Sequence, residues 1–125
     1  MVLVDSSIWV SFLQSGVEPE LVQLLNLNQV PMHDMVFEEI ALGSQSQRKS
    51  AIQLLPLLPT IDVASHAEVM LLIDKHQLYG CGIGYVDVHL LTSAVLHPGT
   101  QLWTRDKRLL AAAHQLGLAF DARAH

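Results

Sequence analysis

A chain of 125 residues, half of them hydrophobic and 15% charged, carries material for one compact core and little for a second. No run reaches the roughly 18 apolar residues of a membrane span, Met1 leads straight into VLVD without a basic leader region, and Cys81 is the only cysteine; membrane insertion, export and an internal disulfide are set aside, and a cytoplasmic protein is expected. The formal charge of −5, from 12 acidic and 7 basic residues, argues against a non-specific binder of duplex nucleic acid but not against an enzyme with a local basic rim.

In chain order, Val2-Leu3-Val4 reads as a buried strand, followed by Ser6-Ser7 as cap residues and the helical pattern Ile8, Trp9, Phe12, Leu13. Pro19 suits a helix first turn leading Leu21, Leu24 and Leu25. Residues 29–32 read as a second strand, a helix runs from about Asp34 to Gly43, and another from about Ser46 towards Pro56. A short strand spans 60–63. Ser65 and Glu68 form a capping box for a helix through about Leu78. Gly80, Gly82 and Gly84 mark a turn before a helix from Tyr85 to His97; a strand at 101–104, a helix capped by Asp106 and ending at Gly117, and an edge strand at 118–120 complete the chain. Alternating strands and helices predict one α/β domain, residues 1–125, with a mostly parallel sheet.

In such a sheet, ligands bind beyond the carboxyl ends of the strands. Asp5 directly follows one strand and Asp106 nearly follows another, so both are expected in that crevice; a plain helix cap explains either one alone equally well. Asp87 shares a helix face with Leu90, Leu91 and Ala94, and no Lys or Arg lies within two turns of it. A carboxylate heading an apolar stripe without a local partner points to a metal ligand. Of the adjacent Glu38 and Glu39, the helical wheel places Glu39 beside Val36 and Ile40 and sends Glu38 to solvent. Gathered carboxylates repel one another unless cations compensate, and hard oxygen donors select Mg²⁺ or Mn²⁺ over zinc. The seven histidines show no metal-ligand spacing, and most of them read as surface or satisfied half-buried residues.

VDSSIWVSFL at 4–13, EEIALG at 38–43, GIGYVDVHLL at 82–91 and LWTRDKRL at 102–109 resemble, in order and spacing, the motifs of VapC-type PIN domains, the toxin ribonucleases of bacterial VapBC toxin–antitoxin pairs. The resemblance covers nearly the whole chain. It implies a PIN-like three-layer α/β/α fold with a carboxylate cluster at the strand ends, and hydrolysis of RNA phosphodiesters with Mg²⁺ or Mn²⁺. The family's acidic quartet falls on Asp5, Glu39, Asp87 and Asp106, with Asp5 and Asp87 as direct metal ligands and Glu39 and Asp106 acting through water. Its hydroxyl residue near the first aspartate is Ser7, with Ser6 as a second candidate; Ser7 serves equally as a helix cap. Thr104 matches the small polar residue of the last motif. Arg105, Lys107 and Arg108 are expected to touch RNA phosphates or to form a solvated helix end. His33-Asp34, where relatives often carry His-Pro, and Glu38 are departures that add negative charge beside the site.

The resemblance further implies single-stranded or loop RNA as substrate, a VapB-type antitoxin as partner and a homodimer. The antitoxin groove is expected between the early helices carrying Trp9, Phe12 and Leu24. Three rivals remain: a PIN nuclease of RNA processing, a catalytically silent module whose acidic pocket takes a partner's arginine, and a receiver-like protein with Asp5 as phospho-acceptor.

Overall fold

Val2-Leu3-Val4 is apolar at every position, the pattern of a strand covered on both faces. In the computed structural model, which describes residues 1–122, it forms β1 (Val2–Val4), buried throughout. β1 pairs in parallel with β2 (Gln101–Trp103), in a register that sets Val2 opposite Gln101 and Val4 opposite Trp103. Around this pair the chain forms α1 (Ser6–Ser15), α2 (Pro19–Asn26), α3 (Asp34–Ala41), α4 (Gln45–Leu54), a 3₁₀ turn (Leu55–Leu57), α5 (His66–His76), α6 (Tyr85–Leu96) and α7 (Lys107–Gln115). The fold is α/β with a small parallel sheet.

The strands expected at 29–32, 60–63 and 118–120 are corrected to isolated parallel bridges, Met32 with Thr60 and Leu102 with Ala119. Pro31 and Pro59 carry no N–H and cannot extend a ladder. Met32 N–H donates to Pro59 O at 2.7 Å, and Met32 O accepts from Ile61 N–H at 3.1 Å. Immediately afterwards His33 turns the chain into α3.

Local chemistry sets the helix ends. Asp5 rather than Ser6 or Ser7 is the N-cap of α1. Ser44 and Gln47 form a capping box that starts α4 slightly before the expected Ser46. Ser65 and Glu68 cap α5 reciprocally, at 3.1 and 2.8 Å. α5 stops at Gln77, which adopts a left-handed φ of 53°.

Two helices organise the interior. α6 is buried at every residue from Val88 to Ala94, the polar His89, Thr92 and Ser93 included, and packs against both α5 and β2. α1 packs on α3 and α4 and contributes Trp9, which is fully buried and meets Phe12 edge-on at 6.2 Å. Of the residues on the early helices where the antitoxin groove is expected, Trp9 belongs to the core, while Phe12 and Leu24 are partly buried.

His33 departs from the expected surface or half-buried histidine. It is wholly buried, accepts from Met35 N–H through Nδ1 at 3.0 Å, and lies 3.1 Å by Nε2 from Ser93 Oγ. Since Ser93 Oγ donates to Asp62 O at 2.8 Å, Nε2 carries the proton and the ring is neutral. Burial, aided by the His89 charge and opposed by Asp34, brings its pKa down to about 4. The network ties α3 to α6 across the sheet's end. Among the described residues no helix is long and apolar enough to cross a membrane.

Candidate functional site

The parallel register of β1 and β2 brings the residues that follow each strand side by side. Asp5 N–H donates to Trp103 O at 2.9 Å, and Thr104 Oγ1 donates to Asp5 Oδ2 at 2.8 Å. Asp106 N–H in turn donates to Thr104 Oγ1 at 3.1 Å, so one hydroxyl links the two aspartate segments. Asp5 Oδ1 accepts from Ser6 N–H at 2.8 Å, and Ser7 Oγ stands 3.4 Å from Oδ2. The Asp5 carboxylate is buried and held by three donors, which fixes its orientation and leaves acceptor capacity for a cation. Asp106 caps α7 with Oδ1, which accepts from Arg108 N–H and Leu109 N–H at 3.0 and 2.9 Å.

Asp87 and Glu39 arrive from helices. Asp87 lies in the first turn of α6, half-buried, and its Oδ2 accepts from Gly84 N–H at 3.0 Å. No arginine or lysine pairs with it: the ion pairs among the described residues are His97–Asp62 and Arg105–Glu18. Burial raises the Asp87 pKa, the Gly84 N–H opposes this, and the charges of Asp5 and Asp106 raise it further. Glu39, on α3, is raised first by burial and then by Asp5 and Asp87, while the Ser6 hydroxyl bonds it and opposes the rise. Asp87 thus stands in the field of Asp5 and Asp106, and Glu39 in that of Asp5 and Asp87, and each of these couplings is repulsive. Glu38 and Glu39 are both exposed, and Glu38 does not enter these couplings.

Among the described residues, no three His, Cys, Asp or Glu side chains form a ready-made metal-holding group. As they stand, these side chains would offer an ion no more than two direct protein ligands. Mg²⁺ is commonly held by one or two carboxylates with water and substrate phosphate completing its shell, so the donor set suits it. The donors are carboxylates and hydroxyls, all hard oxygen, which fits Mg²⁺ or Mn²⁺ better than zinc.

The three basic residues of the last motif separate. Arg105 is bound in a fork to Glu18, at 2.6 and 2.7 Å, with its guanidinium 5.9 Å from the Trp103 ring centre. That pairing occupies the group expected to meet a phosphate. Arg108 instead lies across the glycine turn: a Cβ on Gly82 would come within 2.7 Å of its Cδ, and Gly82 has φ +84°. The positive φ favours glycine here, while the exposed arginine could shift to clear a Cβ. Lys107 and Arg108 are exposed in the first turn of α7, where the helix dipole disfavours cations. Helix stability therefore does not account for their position.

Sequence reasoning missed two functional contacts here. Ser6, named only as a second candidate, serves Glu39, while Ser7 serves Asp5. Glu18, buried and also bonded by Ser11 Oγ at 3.1 Å, fixes the loop carrying Thr104 and Asp106 through Arg105. The one signal it gives is an acid standing directly before Pro19, which reads as a helix-start residue.

No family model matches the chain. It is similar to Ribonuclease VapC32 in two strains of Mycobacterium tuberculosis, with 44% identity over 119 residues in each case. The aligned residues cover 95% of this chain and 95% of each of those proteins.

Proposed function

The chain belongs to the VapC ribonuclease family, and from that premise we propose that it is a metal-dependent endoribonuclease, the toxin half of a type II toxin–antitoxin pair. The observation that carries the reading is the quartet Asp5, Glu39, Asp87 and Asp106, whose charges oppose one another with no arginine or lysine paired to them. In this reading Asp5 and Asp87 would hold Mg²⁺ or Mn²⁺. When bound, the ion supplies Lewis-acid stabilisation of the charge that develops on the phosphoryl oxygens. Thr104, Ser7 and the Ser6 N–H hold Asp5 in one orientation, and Glu39 and Asp106 orient the attacking water. Arg108 and Lys107 meet the phosphates of the strand, and Arg105 positions the loop between them and Trp103. The same family premise supports a PIN-like three-layer arrangement, RNA as substrate, a VapB-type antitoxin and a homodimer.

The test is cleavage of structured RNA by the purified chain in Mg²⁺ or Mn²⁺ against EDTA, alongside Asp5→Ala. The expected outcome is metal-dependent cutting that Asp5→Ala removes. Failure of well-folded, metal-loaded protein to cut a broad RNA panel would overturn the reading.

A further inference from the structure

A cavity of about 410 Å³ lies between α5, the glycine turn and the first turns of α6. Val69, Ile73, Ile83 and Val88 give it apolar walls, while Tyr79 and Tyr85 stand at it 66% and 70% exposed. His89 also lines it, 5% exposed, with the Tyr85 ring edge-on to it at 4.7 Å. The His89 Nδ1 is buried and has no hydrogen-bond partner, and no other hydrogen bond of that ring occurs among the described residues. Buried polar groups in folded proteins are ordinarily paired, and an occupant of the cavity toward which this ring turned would supply the partner that Nδ1 lacks in its closed-off position.

The cavity adjoins the first turn of α6 that carries Asp87. Gly84 forms part of its wall and donates its N–H to Asp87 Oδ2 at 3.0 Å. Gly82, on the same wall, is the glycine that Arg108 covers. An aromatic platform, an unpaired polar atom in an apolar wall and a cation beside them match a nucleotide: a flat π-face, a polar edge and a phosphate. An apolar peptide side chain would satisfy the walls but leave the histidine unpaired and Arg108 unused.

We propose that this cavity takes one base of a single-stranded RNA next to the scissile phosphate, stacked by Tyr85 and bonded at its edge by His89, with Arg108 on the adjoining phosphate. The proposal rests on the ribonuclease reading for the identity of the strand. It makes Tyr85 and His89 determinants of which base is accepted beside the cut.

The experiment is a double-mutant cycle between protein and RNA. Binding of dye-labelled single-stranded RNA to the full chain is read by fluorescence anisotropy in EDTA, so that no cleavage is needed, with each nucleotide made abasic in turn. One abasic position should weaken binding to wild type on the order of 5- to 100-fold, the range of a lost base stack. That loss should vanish in Tyr85→Ala and persist in Tyr85→Phe; the exposed ring can be removed without disturbing the core. His89→Leu should flatten the preference among the four bases at the same position. Absence of any position coupled to Tyr85 overturns the proposal, as does a Tyr85→Ala variant whose only defect is self-association or antitoxin binding. Coupling by a protein that cuts no RNA in Mn²⁺ supports the base site and sinks the nuclease reading, whereas cutting without coupling does the reverse.

Discussion

Glu18, Asp87 and Glu39 show how differently this chain treats its carboxylates: Glu18 is buried, Asp87 half-buried and Glu39 exposed at the rim beside Asp87. Glu18 is the more buried and is neutralised internally: Arg105 grips both its oxygens, and that hydrogen-bonded pairing, helped by Ser11, lowers its pKa against the effect of burial. Glu39 and Asp87 receive no such cation, and burial together with neighbouring acids raises theirs. The chain therefore has the means to pair an acid with an arginine and uses it about the loop, not at the strand ends. A carboxylate left uncompensated beside others like it is unfavourable for folding alone, and a bound cation reverses that.

The largest expected effect comes from removing a charge on the uncompensated side. Asp87→Asn should lower RNA cleavage by more than about 100-fold, beyond the usual loss for an outer-shell partner, while the fold persists. Its metal-free stability should rise at neutral pH. A carboxyl group whose pKa is raised on folding holds its proton more tightly in the folded chain than in the unfolded one. The metal-free wild type therefore loses stability as pH climbs from the ordinary carboxylate value through the raised one. Wild type should regain about 2.7 kcal/mol with the ion at 100 times its Kd, and Asp87→Asn should not. Thermal melts with Mn²⁺ and with EDTA read both effects; an undiminished cleavage rate in Asp87→Asn would break the contrast.

On the compensated side, Arg105→Met should act on stability and ignore the ion. It leaves the Glu18 charge buried with only Ser11 as a partner, and removing one member of a buried pair costs several kcal/mol. Arg105 is 52% exposed, so water screens the pair and the expected loss in urea unfolding is about 2–3 kcal/mol at pH 7. In wild type the lowered Glu18 pKa gives stability that is full above the ordinary carboxylate value and lost as pH falls through the lowered one. Arg105→Met should flatten that limb. Recovery of its stability by Mn²⁺ would mean that the two regions are not separate.

The two sides were also unequally legible in the sequence. Asp5 and Asp106 follow strands, and Asp87 heads an apolar stripe, so pattern alone selected them; the wheel chose Glu39, the glutamate that is coupled to Asp5 and Asp87. The Glu18–Arg105 pair spans 87 residues and joins two loops, a contact that no local period encodes. Local signals likewise found the helices but overstated the sheet, because Pro31 and Pro59 limit to single bridges segments whose composition is strand-like. Trp9 falls on the apolar pattern Ile8, Trp9, Phe12, Leu13 of its helix, and tertiary packing buries it fully. His33 and His89 could not be placed by spacing, since each depends on what α6 packs against.

The finest contrast lies within the uncompensated side, at Ser6. Its backbone N–H belongs to Asp5 and its hydroxyl to Glu39, where it opposes the rise that burial imposes. Ser6→Ala removes only the second contact, leaving Asp5 with Thr104 and Ser7. Glu39 should then hold its proton to higher pH, so that fewer molecules present its charged form at mildly acidic pH. If Glu39 acts at the ion through water, Mn²⁺ affinity should fall by about 10-fold at the acidic end, the lower range for a lost outer contact. The difference should close as pH rises and Glu39 ionises in both proteins. Calorimetric titration of Mn²⁺ across that range reads the slope directly. A uniform loss at every pH would instead assign Ser6 to the geometry of α1, and no loss at all would remove Glu39 from the ion's surroundings.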